Sequence, residues 1–234
     1  MKAIIMAAGK GTRISRFIQN KPKCTIKLKN TTLIEYIVSL LKKKGIHDIS
    51  IVVGYEADYI KTLFKGAGVK FYTNPFFDVT DSISSLWFAR EELGKDDTLI
   101  MNGDVVFEDR FLDIVLTESK SPVLFSDESK KEDADYKLFY KKGLLKKYGK
   151  KLVGREITGE YVGTAKIGKE ETKRFRQKLE EWIKSQRHGV WWEDALYSIS
   201  KKIYVRNIEG IFWAEIDFVE DYKRIQDWAK ANNI

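Results

Sequence analysis

Four short apolar runs, separated by helix-like stretches, organise the first hundred residues of this 234-residue chain. Ala3 to Ala7, Ile49 to Val53, Val69 to Thr73 and Thr98 to Asn102 have strand length and read as strands, the first of them buried. The first intervening helix opens at Thr32. Thr32-x-x-Glu35 is a capping box, in which each side chain satisfies the other residue's backbone N–H. Leu33, Ile37, Leu40 and Leu41 recur at helical spacing, Lys42, Lys43 and Lys44 fill the last turn, and Gly45 stops it. Tyr55 to Lys65 and Ser82 to Leu93 read as further helices, ended by Gly66 and Gly94. The alternation predicts an α/β fold: a mixed, mostly parallel sheet with helices on both faces. Ligands of such sheets bind beyond the carboxyl ends of the strands.

The second half is less regular. Pro122 to Ser126, Tyr136 to Tyr140 and Tyr161 to Ile167 look like strands, and Lys169 to Gln186 like a charged amphipathic helix. Ile203 to Ile208 and Ile211 to Ile216 are late strands around Glu209-Gly210, and a closing helix starts after Asp217. No repeat, low-complexity tract or linker interrupts the chain, so residues 1–234 are expected to form one domain. Its β-rich later part would complete the sheet and build one side of a cleft.

An apolar content of 43% supports a sizeable core. There is no basic-then-apolar leader pattern and no apolar run of bilayer length, so no membrane insertion is expected. Cys24 is the only cysteine, which excludes an intramolecular disulfide and suits a reducing cytoplasm. The net charge of +8 admits nucleic acid, a membrane surface or a polyanionic small molecule as partner. Many of the cations lie between Lys137 and Arg155, where a solvated face or a surface that draws in anionic substrate are the two main readings. No nucleic-acid motif accompanies them, so no nucleic-acid partner is expected.

The loop after the first strand carries the most chemistry. Ala7-Ala8-Gly9-Lys10-Gly11-Thr12-Arg13 joins small residues to cations, and Lys21-Pro22-Lys23 comes soon after. Small residues let the main chain approach a ligand, and free N–H groups there hold anions. The spacing lacks the third glycine of the dinucleotide fingerprint and the Gly-Lys-Ser/Thr end of a P-loop. It reads as a nucleoside triphosphate site, with Arg13 and Lys23 as fixed positive charge. A triphosphate travels with magnesium, which takes one or two carboxylates plus phosphate oxygens and water. Asp104, past the fourth strand, and Asp217, past the last one, are the candidate ligands. Each has a second reading: Asp104 as an Asx turn, Asp217 as the start of the capping box Asp217-x-x-Glu220.

With these residues in hand the chain resembles the sugar-phosphate nucleotidyltransferases, and among them the small choline-phosphate-type cytidylyltransferases. Their opening pattern appears here as Ala7 to Arg13 with Pro22-Lys23, their mid-chain aspartate as Asn102-Gly103-Asp104, and their late metal aspartate as Glu215-Ile216-Asp217. The resemblance implies a Rossmann-like fold and a magnesium-dependent cytidylyltransferase. Such an enzyme moves CMP from CTP to a small phosphorylated or phosphonylated alcohol. It further implies that Ala7, Ala8, Gly9, Gly11 and Thr12 line the nucleotide, and that Arg13 and Lys23 neutralise the triphosphate. Asp104 and Asp217 would hold Mg2+, and Ser85 or Ser82, at the start of the third helix, would help read the base. For Ser82, helix capping is the alternative.

The acceptor side is less legible. Trp191-Trp192-Glu193-Asp194 sets aromatics beside carboxylates, which can cage an ammonium. Buried tryptophans ahead of a helix's acidic first turn fit equally. Tyr136 would add a wall, and Glu160, in a strand resembling one that often faces the acceptor, completes the candidates. The alternatives to cytidylyl transfer are a sugar-1-phosphate nucleotidyltransferase using UTP, GTP or dTTP, and a non-catalytic nucleotide-sensing or nucleic-acid-binding module. A homodimer is compatible with the chain.

Overall fold

A computed structural model describes residues 1–129 and 134–234. In chain order its first elements are β1 (Lys2–Ala7), α1 (Leu33–Lys43), β2 (Ile49–Val53), α2 (Ala57–Leu63), β3 (Lys70–Thr73), α3 (Ser82–Phe88), β4 (Thr98–Asn102), β5 (Val105–Phe107) and α4 (Arg110–Thr117). Next come β6 (Val123–Asp127), β7 (Lys137–Lys141), β8 (Leu144–Tyr148), β9 (Gly159–Ile167), α5 (Lys169–Lys184), α6 (Trp192–Ile199), β10 (Tyr204–Asn207), β11 (Trp213–Glu215) and α7 (Val219–Ala231).

Nine strands form one sheet in the order β3-β2-β1-β4-β9-β6-β10-β8-β7. The parallel part is β3-β2-β1-β4 together with the β6–β10 pair. Strand β9 runs antiparallel between β4 and β6, and β8 and β7 add antiparallel pairing at the far edge. The sheet is therefore mixed, with parallel order concentrated in the half built from the alternating strands and helices. Side chains of β1 alternate between two apolar layers. Ala3, Ile5 and Ala7 pack with Leu33 and Ile37 of α1, Phe111 of α4 and Ile225 of α7. Ile4 packs with Leu86 of α3, Phe175 of α5 and Leu196 of α6. Both faces are covered, as the period-2 burial of such a sheet requires.

Helix α1 begins as its capping box predicts: the Thr32 N–H donates to Glu35 Oε2 at 2.9 Å. Other expected elements shift. The helix from Ser82 stops at Phe88, and a 3-10 turn over Arg90–Glu92 brings Glu92 onto Lys2 and Tyr72. Between Asn102 and Pro122 the sequence offers no clear signal, yet β5 and α4 form there. The last strand does not extend the large sheet; β11 leaves it and pairs antiparallel with β5 in a separate two-stranded ribbon. Among the described residues no helix is long and apolar enough to cross a membrane.

Buried charges are generally matched. Lys2 meets Glu92 and, at 3.1 Å, Asp48. Lys166 donates to the carbonyls of Val115 and Glu118 at 3.0 and 2.6 Å, closing the C-terminal end of α4.

Candidate active site

The ribbon explains how two acids far apart in the chain meet. Val105 pairs with Glu215, and the Ile216 N–H donates to the Asp104 carbonyl at 3.1 Å. Asp104, just before β5, and Asp217, just after β11, thus face each other across the ribbon's end. Both carboxylates converge on the ammonium of Lys23. Asp104 Oδ2 lies 3.6 Å from Lys23 Nζ, Asp217 Oδ1 is in hydrogen-bond contact with it, and Arg13 Nη1 donates to Asp217 Oδ2 at 2.8 Å.

Asp217 is not the cap of α7. The Asp221 carboxylate accepts from the Asp217 and Phe218 N–H groups at 3.1 and 2.9 Å, so the helix starts one residue later than Asp217-x-x-Glu220 suggests. That leaves the Asp217 carboxylate free to face the cations. Burial raises the Asp104 carboxyl above the ordinary carboxylate range and Asp217 adds to the rise, while Lys23 opposes it. Glu215, on the same ribbon, is pushed well up by burial and by both aspartates. Burial pulls Lys23 down, but Asp104, Asp217 and Glu215 outweigh it and hold its ammonium above its usual value.

The glycine loop is shaped around Lys23. Gly11 has φ +65°, and a Cβ there would lie 2.8 Å from Lys23 Cδ and Cε. Gly11 is therefore the seat of the lysine's aliphatic stem, and only glycine accepts both the backbone angle and the contact. Gly9 differs: a Cβ on it would meet nothing within 4 Å, so it faces open space. Ala7 and Ala8 are buried, and Tyr55 N–H holds the Ala8 carbonyl at 3.0 Å. Gly103 approaches β1 closely, its N–H donating to Met6 O at 2.8 Å. Cys24 is buried in the core behind Lys23, and burial pushes its thiol far up, so it is no nucleophile.

A cleft of about 550 Å³ runs from this loop to the aromatic cluster. Gly11, Thr12, Arg13, Lys23 and Asp217 line one end; Tyr136, Tyr161, Trp191, Trp192 and Glu193 line the other. A neighbouring recess of about 310 Å³ is bounded by Ala8, Gly9, Ser82, Ser85, Asn102 and Asp104. Ser85 Oγ accepts from the buried Asn74 amide at 3.0 Å, and Ser82 Oγ accepts from the Trp192 N–H at 3.1 Å, tying α3 to the start of α6.

At the far end Trp191 packs on Tyr136 with ring centroids 4.9 Å apart, and Tyr136 meets Tyr161 edge-on at 5.8 Å. Lys150 lies over Trp191 at 5.1 Å and pairs with Asp135 at 2.7 Å at the cleft's rim. Glu193 is 6% exposed and faces the cleft. Burial, with help from Asp194, pushes its carboxyl up to about 8. Two expected acceptor residues stand elsewhere. Glu160 does not line the cleft; its carboxylate accepts the Asp135 N–H at 2.9 Å and so steers the chain into β7. Asp194 accepts the Trp191 N–H at 3.2 Å and acts at the start of α6, as an acid at that helix position does. Of the two tryptophans, Trp192 is 1% exposed and largely core, while Trp191 offers more surface. Trp191, of the expected aromatic motif, lines the cleft, as do Tyr161, Asn102 and Glu215, which were not themselves expected to act. Their signal was nearness to expected residues: Asn102 to Asp104, Glu215 to Asp217 and Tyr161 to Glu160.

Residues 3–158 match the family described as MobA-like NTP transferase domain. The choline-phosphate cytidylyltransferase of Streptococcus pneumoniae is 29% identical over 243 aligned residues, covering 100% of both chains. The CTP:phosphoglutamine cytidylyltransferase of Campylobacter jejuni is 26% identical over 94% of this chain and 97% of its own. The solved structure of the Streptococcus pneumoniae CTP:phosphocholine cytidylyltransferase superposes with a TM-score of 0.81 at 26% identity, over 97% of this chain and 98% of that one. The chain belongs to the MobA-like NTP transferase family and is a nucleotidyltransferase.

Proposed function

We propose that this chain is a cytoplasmic, single-domain, magnesium-dependent cytidylyltransferase. It moves CMP from CTP onto a small phosphorylated or phosphonylated alcohol bearing a cationic head, and releases pyrophosphate. The observation that carries the reading is the convergence of Asp104 and Asp217 on the Lys23 ammonium, at one end of a cleft whose other end is an aromatic pocket with a buried carboxylate. Its similarity to two cytidylyltransferases over nearly the whole chain supports CTP as donor.

The two aspartates fit a magnesium ion. They are hard oxygen donors that meet at a point where a positive charge already sits. Among the described residues no third His, Cys, Asp or Glu closes on them as a metal cage. Magnesium takes one or two carboxylates and completes its shell with phosphate oxygens and water. When bound, the ion supplies positive charge to the triphosphate.

The chain's own part is positioning and charge. Gly9 and Gly11 let the backbone approach the phosphates, with Thr12 beside them. The recess next to Ser85 and Ser82 takes the base. Lys23 and Arg13 offset the repulsion as an oxygen of the acceptor's phosphate or phosphonate attacks the α-phosphorus. A new P–O bond forms there, the bond to the β-phosphate breaks, and its electrons leave with pyrophosphate. No side chain is the nucleophile, so rate enhancement comes from alignment and electrostatic stabilisation. At an effective dielectric near 20, a unit charge about 4 Å away contributes on the order of 4 kcal/mol. Tyr136, Trp191, Trp192 and Glu193 receive the acceptor's cationic head.

The test is a pyrophosphate-release panel of CTP, UTP, GTP and dTTP against phosphorylated amines and hexose 1-phosphates, with and without chelator. CTP with a phosphorylated amine is the expected productive pair. Turnover confined to UTP, GTP or dTTP with a hexose 1-phosphate overturns the proposal.

A further inference from the structure

We infer that the acceptor pocket selects a protonated primary amine, an N–H donor, over a quaternary ammonium. The inference rests on the reading that this end of the cleft takes the cationic head of a phosphorylated acceptor.

The pocket has oxygens in surplus and donors in deficit. Glu193 is 6% exposed and lines the cleft, yet among the described residues no cation pairs with its carboxylate. The Tyr161 hydroxyl is buried beside it, on the same cleft, and makes no hydrogen bond of ordinary geometry. The Tyr197 hydroxyl is buried behind the cleft wall, next to Tyr136, and likewise makes no hydrogen bond of ordinary geometry. The buried ammoniums of Lys2 and Lys166, by contrast, have partners. A cation seated beside Glu193 favours its ionised form, which only accepts, and each hydroxyl brings one proton for two lone pairs. Even with both tyrosine protons turned inward, acceptor sites outnumber donors. A ligand with several N–H groups fills that deficit.

Ring faces, by contrast, are largely spoken for. Lys150 already lies over Trp191 at 5.1 Å. Tyr136 is met by Trp191 at 4.9 Å, by the edge of Tyr161 at 5.8 Å and by a stacked Tyr148 at 6.5 Å. A trimethylammonium binds through ring faces and carries no N–H. Seated here, it would leave the buried Glu193 carboxylate without a hydrogen bond from the ligand, which is costly. An –NH3+ group offers N–H donors to that carboxylate.

The experiment measures kcat and KM with CTP for phosphoethanolamine and its N-methyl, N,N-dimethyl and N,N,N-trimethyl forms, the last being phosphocholine. The expected result is a stepwise fall in kcat/KM with each methyl, at least about tenfold from first to last and carried mainly by KM. Tyr161→Phe removes one unmatched hydroxyl without opening a large cavity, and it is expected to narrow the gap between the two ends of the series. Glu193→Gln is expected to raise the KM for phosphoethanolamine more than that for phosphocholine. Equal or better turnover of phosphocholine overturns the inference and leaves cytidylyl transfer standing. Turnover of hexose 1-phosphates with none of the phosphorylated amines overturns the reading beneath it.

Discussion

Replacing Gly11 with alanine separates the loop's role in shaping Lys23 from its role in chain flexibility. The backbone angle of +65° is disfavoured for any side chain, at about 1–2 kcal/mol. For a chain of this size each kcal/mol lowers Tm by about 2–4 °C, so a drop of about 2–8 °C is expected. The larger effect is local. A new Cβ would sit 2.8 Å from Lys23 Cδ and Cε, well inside ordinary contact, so the lysine stem must move outward. Its ammonium is already 3.6 Å from Asp104 Oδ2, and the displacement takes it from between the two acids. A misplacement of about 1 Å at a reacting centre costs on the order of 100-fold in rate. A continuous pyrophosphate-release assay should therefore show kcat down by about that factor, with thermal unfolding reporting the smaller stability loss. Gly9→Ala is the control: its Cβ meets nothing within 4 Å, so Tm should hold while the KM for CTP rises. Wild-type kcat in Gly11→Ala, or an equal loss of Tm in Gly9→Ala, would refute the reasoning.

Lys23→Ala and Asp104→Ala should each lower turnover by at least ~100-fold with the circular dichroism spectrum unchanged, the scale for removing one electrostatic stabiliser; full activity in folded Asp104→Ala protein excludes its proposed role. Chelation with EDTA should abolish pyrophosphate release and added magnesium should restore it, whereas activity that persists after exhaustive chelation argues for a metal-independent site. Burial pushes the Glu193 carboxyl up from 4.5 to about 8, so between those values the folded form keeps a proton that the unfolded form releases. Stability is therefore lost as pH rises through that window, by on the order of a few kcal/mol from this group. Glu193→Gln should gain on the wild type in urea unfolding at pH 8.5 relative to pH 5, and parallel pH profiles would contradict the burial argument. Lys166→Met should destabilise the fold by about 1–3 kcal/mol, because two carbonyls closing α4 lose their donor; an unchanged urea midpoint would show that water replaces the ammonium without cost.

The elements legible in advance are those whose signal is local. The Thr32–Glu35 box, the strand Ile49–Val53 and the loop from Ala7 to Arg13 combine periodicity, caps and composition within a few residues, and the structure places them there. Strand β5 is only three residues long, too short to carry a pattern, and its pairing with β11 is a contact made across more than a hundred residues. Without that pairing the sequence suggests two aspartates at strand ends but supplies no reason for them to meet. The same limit applies to Glu160 and Asp194. Their types suit an acceptor pocket, but the orientation of β9 and the start of α6 turn both toward backbone N–H groups. Conversely, Tyr161 is marked only by its place beside Glu160, and it lies on the cleft because β9 passes between β4 and β6.

All nine strands of the large sheet lie between Lys2 and Asn207. The residues beyond Asn207 add one short ribbon strand and a closing helix, yet they deliver the second acid. The tail is also built into the core, since Trp213, Ala214, Ile216, Ile225 and Ala229 pack in the same buried layer as β1, so the second acid is held in place by the scaffold itself. Substitutions along the ribbon, such as at the fully buried Val106 or Ala214, can thus silence catalysis from a distance without touching any ligand, and they should lower the melting temperature as well.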